Sequence, residues 1–446
     1  MTPAALAADL RRIVRGTVTD AGEALEARSS DYGRVVRRRA AVIVRPTDAG
    51  DVAGVVRFAA RHGVAVTTQA AGHTQAGQSL SDGGVLLDMH GFGAVEEVDP
   101  ARALATVGAG VVWRDLVDRT LGHGLVPPVL TNNLFTTVGG TTAVGGVGYS
   151  SFRHGVQLDN HTALEVVTGT GDVVWCSAEE NPDLFLHALG GLGQFGVVTR
   201  LRHRLRRAGT EVFSSTLVYG DPQELLDDAR LLAGAGAAEH LRGWAAHRGG
   251  RWIFALSLDC EDASAPLPHG LRFVRRGGER RQPYRDFVLA NSTLGRPGWS
   301  RDRATVAPGV DVILPREAGG AFIAEVLEWF PPALRAASTI LMLLLDRASL
   351  TRPMFVTPDA ESLVLFTIEP EAGAAESDAV IGLLERIDAR GRELGGKRYV
   401  PGWLRYGPRE WREHFGSRWP QVVRMKERFD PARVLVSGGV HFADGG

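Results

Sequence analysis

The stretch from Thr131 to Asn160, TNNLFTTVGGTTAVGGVGYSSFRHGVQLDN, constrains this chain more than any other. Its thirty residues hold six glycines, five threonines and almost no charge. Glycine interrupts every 3.6-residue period, so no amphipathic helix of useful length fits. Backbone this rich in glycine is built to come close to something flat or anionic. A second such stretch, Gln69-Ala-Ala-Gly-His-Thr-Gln-Ala-Gly77-Gln78, lies upstream. Both are read as lying against one large ligand.

The length, 446 residues, suggests two or three domains or lobes, and 44% hydrophobic with 23% charged residues is ordinary globular material. A formal net charge of -1 argues against nucleic acid or an anionic membrane surface as the main partner. The basic run Arg272 to Arg281 reads as a solvated loop or hairpin end rather than a phosphate patch. The two cysteines, Cys176 and Cys260, make neither a disulfide framework nor a zinc site. The opening MTPAALAADLRRIVRG lacks the unbroken apolar core of a signal peptide, and no run approaches a membrane span. The expectation is a cytoplasmic protein with no metal.

Residues 1–35 read as a leading helix and a linker. From Val42 the pattern becomes regular: a short strand, then a helix capped by Thr47 or Asp48 and closed by Gly63. Strands follow at Val64–Thr68, which runs into the first glycine loop, at Gly84–Met89 and at Ala103–Gly108. Val112 to Leu121 reads as a short helix. Beyond the central stretch, Ala163–Thr168 and Asp172–Cys176 form a hairpin. Asn181 caps a helix with Pro182 at its first position. Past Arg206 the glycine loops thin out and strand-like alternations, such as Ile253–Leu258 and Leu363–Ile368, take over, with helical periods at Pro222–Gly234 and Ser377–Leu394 between them. This is a second, α+β lobe. Its aromatics (Trp244, Trp252, Tyr284, Trp299, Phe322, Trp329) suit a core or an apolar substrate.

Familiar motifs are mostly absent. Gly108-Ala-Gly110 lacks the third glycine of a dinucleotide fingerprint, and there is no phosphate-binding G-x-x-x-x-G-K-[ST] run, no H-E-x-x-H and no G-x-S-x-G. Gly72-His73-Thr74 is different. A strand ends, a glycine turn follows, and several backbone N–H groups can face one concavity and hold pyrophosphate without a lysine. A histidine in such a loop can coordinate, move protons or act as a nucleophile, or simply satisfy loop carbonyls.

Five motifs then fall in one order over Ala40 to Leu205: QAAGHT, DGGVLLDM, TVGGTTAVGG, SFRHG with DN, and NPDLFLHALGGLGQFGVVTR. This segment resembles the PCMH-type FAD-binding domain of the vanillyl-alcohol-oxidase superfamily. Within it the chain is most similar to cytokinin dehydrogenases and their bacterial relatives, through GHTQAGQ, PPVLTNNLFTTVGGT, FRHGVQLDN and the C-terminal EWREHFG…MKERFDPARVLVSGG.

The resemblance implies FAD as cofactor. His73 matches the histidine joined covalently to the flavin 8α-methyl group. Ala71, Gly72 and Thr74 match the pyrophosphate cradle, and Gln78 a further FAD contact. Thr137, Gly139, Gly140, Ala143 and Val147 match residues along the flavin and ribityl chain. Val198 matches a contact to adenine, and Tyr399 a tyrosine that returns to the flavin. Members with a second link use a cysteine near the position of Asn133; here the expectation is one link, through His73. Cytokinin dehydrogenases carry T-D-Y-L where this chain has Thr131-Asn132-Asn133-Leu134. Asn132 is neutral and cannot take the proton their aspartate takes. Gln69 replaces the arginine before the loop, and Val436-Ser437-Gly438-Gly439 replaces S-P-G-Q.

The expected fold is α+β and two-lobed. A PCMH-type FAD-binding domain spans 1–207, completed by the segment 396–446, and 208–395 form an α+β substrate-binding lobe. The expected reaction is hydride transfer to FAD from a C–H next to nitrogen or oxygen of a small organic substrate, with dioxygen as acceptor. Asn132, Tyr149 and Tyr399 are the candidate catalytic residues. Further candidates for a base are Asp311, Asp346 and His441. The competing reading is a structural FAD beside a cleft for non-redox cyclisation or metabolite binding.

Overall fold

The computed structural model describes residues 1–262, 266–291, 305–335, 338–438 and 442. Trp299, Gly439 and His441 lie outside the described residues.

Alternating strands and one capped helix build the first layer. Val42–Arg45 and Val66–Gln69 both pair in parallel with Val85–Asp88, so the helix between them, Ala49–His62, is a crossover. The Asp48 side chain accepts the Asp51 N–H at 3.0 Å, and Gly63 closes the helix at φ 63°. Its Val52, Val55, Val56 and Ala59 are buried against the sheet. The first 35 residues hold more than a helix and a linker. Thr17–Thr19 adds an antiparallel edge to this sheet, and a second helix covers Gly22–Ala27.

A second sheet, antiparallel throughout, runs in the order Val95–Asp99, Leu104–Gly108, Val197–Arg204, His161–Val167, Val173–Ser177. The expected hairpin is its last pair. The helix Pro182–Ala188 also forms, but not by the expected cap. Asn181 sits at φ 49°, and its side chain bonds to the Trp175 carbonyl at 3.0 Å instead of to the helix N–H groups. The central stretch gives only short helices, Val138–Thr142 and Ser151–His154.

The second lobe is organised by its sheet, eight-stranded among the described residues. Its order is Arg275–Pro283, Glu211–Tyr219, Arg251–Glu261, His240–Arg248, Thr339–Asp346, Ser362–Glu369, Val310–Pro315, Lys397–Arg398. Side chains alternate between its faces. Val310, Val312, Leu314, Val364, Phe366 and Ile368 pack under the helices Pro222–Gly234, Arg316–Glu328 and Ser377–Glu393. Ile313, Leu343, Leu345, Leu363 and Leu365 face the first lobe and share a core with Val147 and Tyr149. The basic run forms the outer strand of this sheet, with Arg272 paired to Asp227 and Arg281 to Glu211, as a solvated edge.

The chain's last part returns to the first lobe. Val66 donates to the Val434 carbonyl at 2.8 Å, and Val436 donates back to Val66 at 3.0 Å. Behind this junction Lys426 and Asp430, 3% and 0% exposed, form a buried pair at 2.7 Å.

Candidate active site

Both glycine stretches line one cavity of about 270 Å³ between the lobes. Its walls include Ala71, Gly72, His73, Thr74 and Gln78 from the first stretch. The second contributes Asn132, Thr137, Gly139, Gly140, Ala143, Val147 and Tyr149. Val198, Tyr399, Val436 and Ser437 complete the first-lobe side, and Asp311, Leu341, Leu343, Leu365, Thr367 and Glu369 form the roof. Every described residue named from the sequence as a cofactor or catalytic candidate is therefore on one surface, except Asp346. Asp346 sits at the far end of its strand, where its side chain accepts the Ala348 N–H at 2.9 Å. The aromatics of the second lobe also divide: among the described ones none lines this cavity, and Phe322 is core at 0% exposure.

The turn at 71–74 suits an anion. Gly72 takes φ 66°, and the backbone N–H groups of Ala71, Gly72 and Thr74 have no acceptor among the described residues. The rest of the loop is held from outside. Gln75 donates to Glu369 at 2.7 Å and accepts from the Gly309 N–H at 2.5 Å. Gln78 donates to the Val400 carbonyl at 2.8 Å, and Ser437 to the Gln78 carbonyl at 2.9 Å. Gln69, which lacks a charge, is met by Arg28, whose guanidinium reaches its amide oxygen at 3.0 Å and the Ala70 carbonyl at 3.1 Å. Sequence reasoning missed Arg28 because it lies just past the end of a helix some forty residues upstream.

His73 is half-buried and positioned from two sides. The Tyr32 ring lies over it with centroids 3.7 Å apart, and Asn133 Nδ2 lies 2.7 Å from its Nε2. The other amide atom of Asn133 accepts the Phe135 N–H at 2.9 Å, which orients the amide.

Not every glycine of the central stretch serves a ligand. A Cβ on Gly145 would strike the Tyr399 ring at 2.8 Å and Phe355 at 2.9 Å. The absence of side chains here lets Tyr399 approach, and its hydroxyl accepts the Gly146 N–H at 2.9 Å. Burial pushes the Tyr399 hydroxyl well above its ordinary pKa. Tyr149 is buried, with the Arg242 guanidinium 5.0 Å from its ring centroid. Burial raises its pKa too, against the opposing pull of Arg242. Neither tyrosine offers an ionised oxygen near neutrality.

Residues 40–177 match a family described as FAD binding domain, and residues 362–442 one described as cytokinin dehydrogenase 1, FAD and cytokinin binding. An uncharacterized oxidoreductase of the fasciation locus of Rhodococcoides fascians is 30% identical over 93% of this chain and 96% of its own length. The chain belongs to the PCMH-type FAD flavoproteins.

Cytokinin dehydrogenase 7 of Oryza sativa subsp. japonica is 28% identical, over 92% of this FAD-dependent oxidoreductase and 88% of its own length. Among solved structures, 6-hydroxy-D-nicotine oxidase from Arthrobacter nicotinovorans shares the fold at TM-score 0.75 and 22% identity, covering 96% of this chain and 98% of that one. Chitooligosaccharide oxidase does so at 0.80 and 17%, covering 99% and 100%.

The residues present fit FAD. The turn offers three unpaired N–H groups, and among the described residues no carboxylate lines the glycine-loop side. Cys176 is not placed to reach a cofactor there: it is buried, donates to the Leu164 carbonyl, lies outside the cavity, and burial pushes its thiol up to about 12. Among the described residues no helix is long and apolar enough to cross a membrane, and no cluster suits a metal ion.

Proposed function

We propose that this oxidoreductase removes a hydride from a C–H bond next to nitrogen or oxygen of a small organic metabolite, in the cytoplasm, with dioxygen taking the electrons, and that its FAD is attached to the protein through His73. One observation carries the reading: the cavity that the glycine loops line is roofed by the second lobe, so a cofactor on the loops and a substrate under the roof would share it. The free buried thiols, Cys176 and Cys260, fit a reducing compartment.

Ala71, Gly72 and Thr74 would hold the pyrophosphate through backbone N–H groups. Thr137, Gly139, Gly140, Ala143 and Val147 would follow the ribityl chain and ring, and Val198 would meet the adenine. In this reading 1–207 with 396–446 form the FAD-binding domain and 208–395 the substrate lobe. When bound, FAD supplies a two-electron acceptor; the protein's share is to orient substrate, exclude water and manage a proton. Tyr399 and Tyr149 act as neutral hydroxyls that shape the cavity. Asn132 supports a substrate by hydrogen bonding and is no base, so chemistry that needs a carboxylate at that position is not expected.

The test is anaerobic. Holoenzyme whose yellow absorption bleaches on adding a small amine or alcohol, and recovers on admitting air, supports the reading. Flavin that no such compound reduces favours a structural FAD beside a non-redox site.

A further inference from the structure

The turn at 71–74 is oriented by one arginine that is not part of it. Strands Val66–Gln69 and Val85–Asp88 run parallel, and their last residues, Gln69 and Asp88, are in register. Side chains in register leave a sheet on the same face, so these two lie side by side at the foot of the turn. Arg28, just past the end of Gly22–Ala27, spans both. Its Nη2 lies 3.0 Å from Asp88 Oδ2, and its Nη1 donates to Gln69 Oε1 at 3.0 Å and to the Ala70 carbonyl at 3.1 Å. Asp88 is itself fixed, by Arg45 at 2.6 Å and by His90 Nδ1 at 2.7 Å. The Gln69 amide passes the restraint on: its Nε2 donates to the Ser79 carbonyl at 3.1 Å, and a Cβ on Gly72 would lie only 3.7 Å from it.

The contact to Ala70 decides where a donor points. In a trans peptide the C=O and the N–H face opposite sides. With the Ala70 oxygen turned out to Arg28, the Ala71 N–H of the same peptide faces the other way, and Ala71 lines the cavity. Were that peptide to turn over, a carbonyl oxygen would replace the donor and repel an anion held there. Arg28 does not line the cavity, so it acts on a ligand through the loop.

From this arrangement we infer that Arg28 is a positioning residue for the diphosphate of the cofactor: it holds the 70–71 peptide with its N–H offered to the cavity, and so sets the preference for a flavin that carries a diphosphate over one that carries none. The inference rests on the proposed FAD site. A guanidinium suits the task because its planar fork gives one nitrogen to Asp88 and the other to two loop oxygens. A lysine ends in a single nitrogen and cannot span the same three acceptors in that geometry. Two guanidinium groups around one carboxylate also leave positive charge behind the turn, which favours an anion in front of it.

The experiment uses the full chain with His73→Ala, which makes flavin binding reversible, stripped of flavin and titrated with FAD and with riboflavin by quenching of flavin fluorescence. Arg28→Met in this background leaves Asp88 paired with Arg45 and His90, so no carboxylate is stranded and melting temperature should hold. It is expected to weaken FAD binding by about 10-fold or more while riboflavin affinity stays within about 2-fold. FAD affinity that does not change overturns the inference. FAD and riboflavin weakened alike also overturn it, because that marks a general loss of the cavity's shape. If Arg28→Met fails to fold, Arg28→Lys decides: a loss confined to FAD supports the role, and unchanged FAD affinity overturns it. Should the His73→Ala chain with Arg28 intact bind neither flavin, the FAD reading beneath the inference falls instead.

Discussion

Asn133 donates from Nδ2 to Nε2 of His73 at 2.7 Å, and this bond fixes which ring nitrogen keeps its lone pair. An amide nitrogen can only donate, so Nε2 accepts and the neutral ring is protonated on Nδ1. If carbon is to bond to this imidazole while Asn133 keeps its partner, it does so at Nδ1, with the Nδ1 proton given up as the bond forms. Asn133→Ala removes one hydrogen bond of about 1 kcal/mol and is expected to slow flavin attachment roughly five-fold without changing the fold. The fraction of covalently held flavin, followed during reconstitution of apoprotein, checks this; an unchanged rate counts against the role.

Tyr399 is expected to act as an acceptor for backbone, not as an acid or base. Tyr399→Phe leaves the Gly146 N–H buried without its partner. The expected cost is about 1–3 kcal/mol in thermal unfolding, with looser flavin. The rate profile between pH 7 and 10 should stay as in wild type, because burial keeps the hydroxyl protonated there. A basic limb lost in the variant would contradict this.

The C-terminal segment depends on one buried pair. Lys426 donates to the Gln194 carbonyl at 2.8 Å, to Asp430 at 2.7 Å and to the Leu435 carbonyl at 2.7 Å. Lys426→Met strands the Asp430 carboxylate in the core and should lower stability by about 3–5 kcal/mol in denaturant unfolding. A loss below about 1 kcal/mol would show that the segment is held by other contacts.

Acid should weaken the fold well above the usual carboxylate range. Burial holds His203 and His414 at about 3 and His154 at about 4, and pushes His161 far down. Their folded values lie below the unfolded value of about 6.5, so their stability is complete above that pH and is lost as pH falls through the window from 6.5 to 3. Each costs up to about 1.4 kcal/mol per pH unit. Asp31 and Asp311, raised to about 6 by burial, act oppositely: their contribution is complete below about 3.9 and is lost as pH rises through 6. Five lowered histidines, His187 included, against four raised carboxylates, Asp228 and Asp259 included, give a net fall. Melting temperature should drop from pH 7 to pH 5, less steeply in His203→Phe; a flat profile would contradict the assignment.

What could be read from the sequence was what local chemistry decides. The Asp48 cap, the Gly63 stop and the turn at Gly72 depend on neighbours a few residues away, and all three stand. Asn181 misled because its side chain found a carbonyl six residues back, in the preceding strand. The glycines at 145 and 146 were legible as close approach, but the partner is Tyr399, some 250 residues on. Asp311 and Asp346 were equal as sequence candidates. Only the register of a sheet that joins distant strands turns one toward the cavity and leaves the other at a strand end.

The most direct test of the account is the state of the flavin on His73. Purified protein would be precipitated with acid and its intact mass measured, beside His73→Ala. The account predicts yellow colour that stays with the pellet, a chain heavier by one FAD, and both lost in the variant. Colour released to the supernatant, with a chain of bare polypeptide mass, would contradict attachment through His73.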